Sequence, residues 1–192
     1  MMGRLEVCGA PCSCFVRSPQ YMVTPGIEIR PESVDDISAV GRVTTEAFRG
    51  ARHSSHTEEL IVEALRKAGK LAVSRVAAHE GEVVGHAAAS PIRINEVSGS
   101  WYGLGPVSVL PSYQRRGIGS ALVMDALLVL ASHGAAGCVV LGDPAFYERF
   151  GFKADERLTL PGVPSEHFMA VAFDSATPSG IVSYDAAFGT QR

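Results

Sequence analysis

"VSVLPSYQRRGIGSALV", residues 107–123, alternates apolar and polar side chains, stops at Pro111, passes two arginines, and enters an apolar stretch through Gly117 and Gly119. A strand, a glycine turn and a helix in that order make an anion site by simple geometry. Consecutive backbone N–H groups point into the turn, and the partial positive end of the helix lies behind them. Glycine permits positive backbone angles and leaves room where a Cβ would strike a phosphate. Arg115 and Arg116 add charge at the mouth. Such a turn can hold a diphosphate without any metal. On spacing alone, a purely structural glycine turn is an equal reading.

Other phosphate motifs fail by spacing. A P-loop needs four residues between its glycines and a Lys-Ser/Thr pair behind them, and "GIGSAL" has neither. The dinucleotide fingerprint fails because Leu122 occupies the place of its third glycine. Both failures argue against nucleoside triphosphates and nicotinamide cofactors.

The surrounding composition is that of an ordinary globular chain: 192 residues, 46% hydrophobic, 19% charged, net charge −3. That length is enough to bury a real core. With no global basic field and no Lys/Arg-rich block, nucleic acid is not an expected partner. The longest apolar run, "ALVMDALLVLA" at 121–131, is too short for a membrane span and contains Asp125, so no membrane segment is expected. Cys8, Cys12 and Cys14 crowd near the start and Cys138 stands alone. Their spacing lacks the second ligand pair of a tetrahedral zinc site, and reduced thiols in a cytoplasmic protein are the plain reading. The first 22 residues lack the continuous apolar core of a secretory signal. Folding patterns begin after Met22, so residues 1–21 are expected to be a flexible extension and 22–192 one domain.

Along that domain, "IEIRP" at 27–31 reads as a first strand ended by proline. Ser33 with Asp36 forms a capping-box-like start, behind which Ile37, Val40, Ala47 and Phe48 share a helical face. Ser55 with Glu58 opens a second helix whose stripe is Leu60, Ile61, Ala64 and Leu65, with Gly69 as its stop. Residues 71–94 read as a hairpin turning at "HEGE", and "WYGLGPVSVLP" as a further strand. The glycine turn leads into a helix from about Gly117 to Ser132, capped by Gly134; its one charge, Asp125, implies burial on most sides. "GCVVLG" fits a strand covered on both faces. "DPAFYERFGF" gives a short helix with Asp143 as N-cap and Pro144 at its first position. "SEHFMAVAF" is a last clear strand, and the form of "GIVSYDAAFG" is left open. The order predicts an α/β domain with a mixed central sheet flanked by helices.

Gln114, Gly117 and Gly119 after a strand meet the Q/R-x-x-G-x-G/A signature, so the segment resembles the acyl-CoA-binding motif of the GNAT superfamily of N-acyltransferases. Tyr147, Gly151 and Phe152 in "DPAFYERFGF" resemble the superfamily's Tyr-x-x-x-Gly-Phe element. "LGDPAFYERFGF" with the later "VSYDAAF" looks like one bacterial branch of predicted N-acetyltransferases, and the likeness covers residues 26–189. The resemblance implies acetyl-CoA as acyl donor, with no metal, in a GNAT fold. The main chain of Val107, Ser108 and Val109 would bond the pantetheine arm as a neighbouring strand does. The amides of Arg115, Arg116, Gly117, Ile118, Gly119 and Ser120 would hold the pyrophosphate.

The implied reaction is direct attack of a neutral amine on the thioester. A lysine-like amine with a pKa of ~10.4 is neutral in only about one molecule in ~10³ at pH 7, a deficit of roughly 4 to 5 kcal/mol unless a base or desolvation helps. Tyr147 matches the family's donor to the departing thiolate, with Arg149 easing the transfer if it lies near the hydroxyl. No base emerges. The central strand carries no acid; Glu46, His86, His133 and Asp143 are the titratable residues nearest the predicted chemistry, of which His86 reads as a half-exposed strand histidine, His133 sits at a helix end and Asp143 is better explained as a cap. The pantetheine-contacting Asn that many superfamily members carry after the fifth strand is missing from "VVLGDPAF". His53 and His56 lack further ligands for a metal and lie where the fold commonly shapes its acceptor pocket.

The leading reading is thus an N-acetyltransferase acting on a primary amine of a small molecule, peptide or protein side chain. A non-catalytic acyl-CoA-binding module and an interaction domain with an empty cleft are the alternatives. A homodimer is common in the fold, but no residue argues for it, and neither the acceptor nor the acyl length is legible.

Overall fold

In the computed structural model, which describes residues 25–49, 58–173 and 177–188, β1 (Ile27–Pro31) ends at its proline as expected. The chain turns there because Asp36 accepts hydrogen bonds from the Ser33 N–H at 2.8 Å and the Ser33 hydroxyl at 2.7 Å, and a two-pronged bond from Arg30 at 2.6 and 2.9 Å. The Arg30 guanidinium, assisted by Ser33, holds the Asp36 carboxyl well below the usual carboxylate range. α1 (Ile37–Phe48) and α2 (Glu58–Lys67) follow.

Their buried faces differ from the predicted stripes. α1 buries Val40, Val43 and Thr44, while Ile37 is exposed; α2 buries Ile61, Val62 and Leu65, while Leu60 faces outward. Neighbouring stripes on one helix satisfy the same periodicity, and packing against Val76 and Val83 of the sheet chooses between them. Ser55, His53, His56, the three early cysteines and residues 1–21 lie outside the described residues.

β2 (Val73–His79) and β3 (Glu82–Ile94) form the expected hairpin, turning through Glu80 and Gly81 with φ of 51° and 85°. A second two-residue turn, Asn95–Glu96 with φ of 52° and 60°, leads into β4 (Val97–Val109). α3 (Ile118–Ser132) then returns the chain to β5 (Gly137–Leu141), which lies parallel to β4. After the short α4 (Pro144–Tyr147) come β6 (Lys153–Ala154), β7 (Leu158–Thr159), β8 (Phe168–Ala172) and β9 (Gly180–Ser183). The sheet order is β1-β2-β3-β4-β5-β8-β6, with β9 pairing the far end of β3 and also β7. The two-residue strands are too short to carry a periodic signal, and "GIVSYDAAFG" resolves into β9 followed by a helical turn at Ala186–Phe188.

α3 packs on one face of this mixed sheet and α1 and α2 on the other. Leu122 of α3 lies so close to β3 that a Cβ on Gly85 would stand 3.0 Å from its Cδ1. β5 is covered on both sides, with Cys138 and Val140 toward α3 and Val139 toward Trp101 and Phe168. Asp125, the lone charge of α3, pairs with Arg75 of β2. Among the described residues, no helix is long and apolar enough to cross a membrane.

One expectation fails inside the core. His86 is fully buried rather than half-exposed. Its Nε2 meets the Ser74 hydroxyl at 2.8 Å, and Ser74 also bonds Glu32, whose other oxygen accepts from Arg66 at 2.5 Å. Burial first, and then the nearby Arg66 charge, lower its pKa to about 3. β3 lies between β2 and β4 with helices over it, a depth that strand alternation alone does not reveal.

Candidate active site

The site begins where the centre of the sheet comes apart. β4 and β5 pair in parallel from Trp101–Gly137 to Leu104–Val140 and no further. At that point Ala88 of β3 faces two residues of β4, Gly105 and Pro106, because the register passes from Ala89–Leu104 to Ala87–Val107. A bulge of this kind bends its strand, and Pro106 has no N–H to offer a neighbour. β4 therefore runs on through Val109 beside β3 alone, leaving a wedge on its other edge.

Main-chain direction decides what that edge presents. The Leu110 N–H donates to Val84 of β3, so the Val109 carbonyl points the opposite way, into the wedge. By the same alternation Val107 and Val109 turn their main-chain groups toward the wedge and Ser108 turns its own toward β3. The Ser108 side chain is buried on the other face, 3.3 Å from the Thr44 hydroxyl of α1. Val107 and Val109 thus border the opening, and Ser108 does not.

Gln114 ties the turn to the strand: its side-chain N–H donates to the Val109 carbonyl at 3.0 Å. Arg115 and Gly117 both take left-handed backbone angles, φ 59° and 81°, which let the chain double back before α3. Gly117 is the residue before the first turn of that helix. Gly119 follows, and a Cβ there would meet only Phe146 Cζ at 3.6 Å and Val109 Cγ2 at 3.7 Å. The protein itself leaves room at Gly119. The Ile118 side chain is buried in the core beneath, and Ser120 is buried too.

These parts border a cleft of about 530 Å³ whose walls include Val107, Val109, Gly117, Gly119, Arg115 and Arg149. Arg116 stands over the Tyr113 ring, 5.3 Å from its centroid, and is not among the residues that line the cleft. Arg149 is engaged within its own turn, donating to the Ala145 carbonyl at 3.1 Å and lying 5.0 Å from the Phe146 centroid.

Across the wedge stands Tyr147. Asp143 caps α4 by accepting from the Ala145 N–H at 3.0 Å, with Pro144 behind it, as the sequence predicts. The Tyr147 ring packs edge-on against Phe146 at 4.9 Å and Phe152 at 5.8 Å. Burial, with a smaller effect from Cys138, pushes its phenol up to about 12.

Beyond Tyr147 the wedge opens into a second cavity of about 680 Å³. Tyr147, Asp143 and Val107 line both spaces, so the two meet at the tyrosine. The second cavity is walled by α1 and α2 residues Phe48, Glu58 and Ile61, by Leu160, and by Tyr184 and Phe188 near the C-terminal end. Glu58 is 8% exposed, a carboxylate carried into the interior. The sequence reading used Glu58 only as a capping-box partner. Its position three and seven residues before Ile61 and Leu65, on the buried stripe, was the signal for more. Of the other titratable candidates among the described residues, only Asp143 borders either space; His86 lies in the core and His133 is exposed at the end of α3.

A mixed sheet splayed at its centre, with a glycine-turn helix N-terminus on one side of the gap and a tyrosine on the other, is the architecture of a CoA-dependent acyltransferase. Residues 71–154 match the family described as acetyltransferase (GNAT) domain. YhbS of Escherichia coli (strain K12), named as an uncharacterized N-acetyltransferase, is 36% identical over 167 residues, which span 83% of this chain and 97% of YhbS. A GNAT family acetyltransferase from Brucella melitensis, crystallised in complex with acetyl-CoA, superposes with a TM-score of 0.77 at 44% identity, covering 84% of this chain and 97% of that one. The Escherichia coli YhbS structure in complex with CoA gives 0.76 at 30% identity, over 85% and 92%. The chain belongs to the GNAT family of N-acetyltransferases.

Proposed function

We propose that this protein transfers the acetyl group of acetyl-CoA to a primary amine by direct attack. The observation that carries the reading is the junction at Tyr147, where the cleft beside the Val107–Val109 edge meets the deeper cavity. An acyl donor lying along that edge would place its thioester between the two spaces. The residues present suit it. Val107 and Val109 offer strand-like main-chain partners to an amide-bearing arm, and the Gly117–Ser120 turn offers amides and a helix N-terminus to a diphosphate. Arg115 and Arg149 supply positive charge at the cleft wall.

Tyr147 acts as hydrogen-bond donor to the sulfur as charge develops on it. With the phenol near 12 and a cysteine-like thiol at ~8.5, complete proton transfer would be uphill by about 5 kcal/mol, so donation rather than transfer is its contribution. Gly142 and the Phe146 and Phe152 rings hold the phenol ring in place. Asp143, which follows the fifth strand, lines both spaces while capping α4.

Calorimetric titration with acetyl-CoA, for the protein and for Gly117→Glu, followed by mass detection of acetylated amine, tests the reading. Binding abolished by Gly117→Glu, with acetyl transfer by the intact protein, supports it. Binding without transfer to any amine would leave an acyl-CoA-binding module, and no binding would remove the donor altogether.

A further inference from the structure

Two phenols border the cavity of about 680 Å³ beyond the wedge, Tyr147 and Tyr184. Tyr184 reaches it from a remote part of the chain. β9 pairs β3 through Val182–Ile94 and Ser183–Arg93, and the next residue, Tyr184, is delivered beside β4. Its ring lies over Gly103, where a Cβ would overlap its Cε1 and stand 3.0 Å from its Cδ1, two residues before the Gly105–Pro106 bulge. Asp185 accepts from the Ala187 N–H at 3.0 Å and folds the chain back, which sets the Phe188 ring 4.8 Å from that of Tyr184. Among the described residues neither phenol has a hydrogen-bond partner, and neither oxygen is sealed away: the enclosed polar side-chain atoms without a partner are His86 Nδ1 and Ser90 Oγ.

Burial first, then Cys138 and Tyr147, holds the Tyr184 hydroxyl well above the usual phenol range, so it stays a neutral donor. Attack on a thioester gathers negative charge at two atoms: the carbonyl oxygen as the nitrogen adds, and the sulfur as it leaves. Tyr147, which borders both spaces, serves the sulfur. The described residues lining the cavity carry four polar side chains, of which the Glu58 and Asp143 carboxylates accept and the two phenols donate. Main-chain donors on this stretch of β4 are limited by Pro106, which has no N–H. Resting on the acetyl-transfer reading above, we propose that the Tyr184 hydroxyl donates to the carbonyl oxygen of the acetyl group, as a second catalytic tyrosine on the acceptor side of Tyr147. A donor already fixed where charge develops binds the transition state more strongly than the ground state. The ammonium first gives a proton to solvent. The neutral nitrogen then bonds the acetyl carbon while the carbonyl pair shifts onto oxygen, and that pair returns as the carbon–sulfur bond breaks. Nitrogen loses one proton to solvent and the thiolate takes one up, giving the amide and the CoA thiol. Tyr184 keeps its own proton throughout.

The test reads the carbonyl itself. Acetyl-CoA carrying a heavy carbon isotope at its acetyl carbonyl is bound to the protein with no amine present, and its isotope-edited infrared band is compared with the band in water. A hydrogen-bonded carbonyl stretches at lower frequency. The band should therefore lie below its position in water, and should move upward in Tyr184→Phe, which keeps the ring on Gly103 and against Phe188. Acetyl-CoA affinity should stay within about three-fold, and kcat toward whichever of propylamine, spermidine and a lysine peptide is acetylated fastest should fall about ten-fold or more with amine KM little changed. Thermal melts confirm folding. A band that stays in place in folded Tyr184→Phe, or an unchanged kcat, overturns the inference. So does a band in the unaltered protein no lower than in water, a result that stands even if Tyr184→Phe does not fold. A band that moves as stated, with none of the three amines acetylated by the unaltered protein, overturns the transfer reading instead and leaves the contact between Tyr184 and the acyl donor standing.

Discussion

The Tyr147 ring lies over Gly142, where a Cβ would overlap its Cε2 and stand 2.9 Å from its Cδ2. The glycine just past β5 is thus what lets the aromatic ring fold back against the chain beside the splayed sheet. Gly142→Ala should displace the phenol without touching the cleft's glycine turn. We expect kcat to fall about ten-fold or more while acetyl-CoA affinity stays within about two-fold. Steady-state kinetics beside a calorimetric titration check this, and an unchanged kcat would separate the ring's position from catalysis.

Tyr147→Phe removes the donor and keeps the packing on Phe146 and Phe152. A ten-fold or greater loss of kcat, roughly 1.4 kcal/mol, is expected with acetyl-CoA affinity little changed. The phenol near 12 is also a statement about pH. Its donating, protonated form persists below that value, so kcat/KM should rise with pH as the amine deprotonates. It should show no descending limb from this residue below about pH 10.5.

Gly117 and Gly119 serve different needs. Gly117 takes a left-handed angle that strains any side chain, whereas a Cβ on Gly119 meets only ordinary contacts. Gly119→Ala should therefore keep or raise stability, by up to about 1 kcal/mol because alanine favours helix. Acetyl-CoA affinity should nevertheless fall about five-fold or more if the diphosphate rests there. Thermal melts and calorimetry on the same sample distinguish the two effects.

His86 makes stability depend on pH. Its folded pKa, about 3, lies below the ordinary histidine value near 6.5, so the unfolded chain binds the extra proton first as pH falls. Its contribution is fully present above about pH 6.5 and declines as pH drops toward 3, at up to about 1.4 kcal/mol per pH unit. Glu32 and Arg66 share the network with it. Melting temperatures of the protein and of His86→Gln between pH 7 and 5 check this: the slope should be steeper with the histidine present.

Most of the element order was legible because it rests on local signals. The Ser33–Asp36 turn, the Glu80–Gly81 hairpin, the Asp143 cap and the Gly117 helix start each involve residues within a few positions of one another. The glycine turn and Tyr147 were legible for the same reason, their spacing being confined to one turn each. Glu58 was not, because its meaning depends on Leu104, Tyr184 and Phe188 arriving from remote parts of the chain. His86 was misread because burial on a central strand depends on what the helices cover.

The sequence by itself determined an α/β chain with an anion-suited glycine turn and a tyrosine at GNAT spacing, since short-range steric and hydrogen-bonding preferences act within a few residues. Only the tertiary structure decided where the sheet splits, which main-chain groups of Val107 and Val109 face the gap, and that two carboxylates share an aromatic cavity beyond Tyr147. Those outcomes depend on strand register and on side chains far apart in sequence, which local preference does not encode.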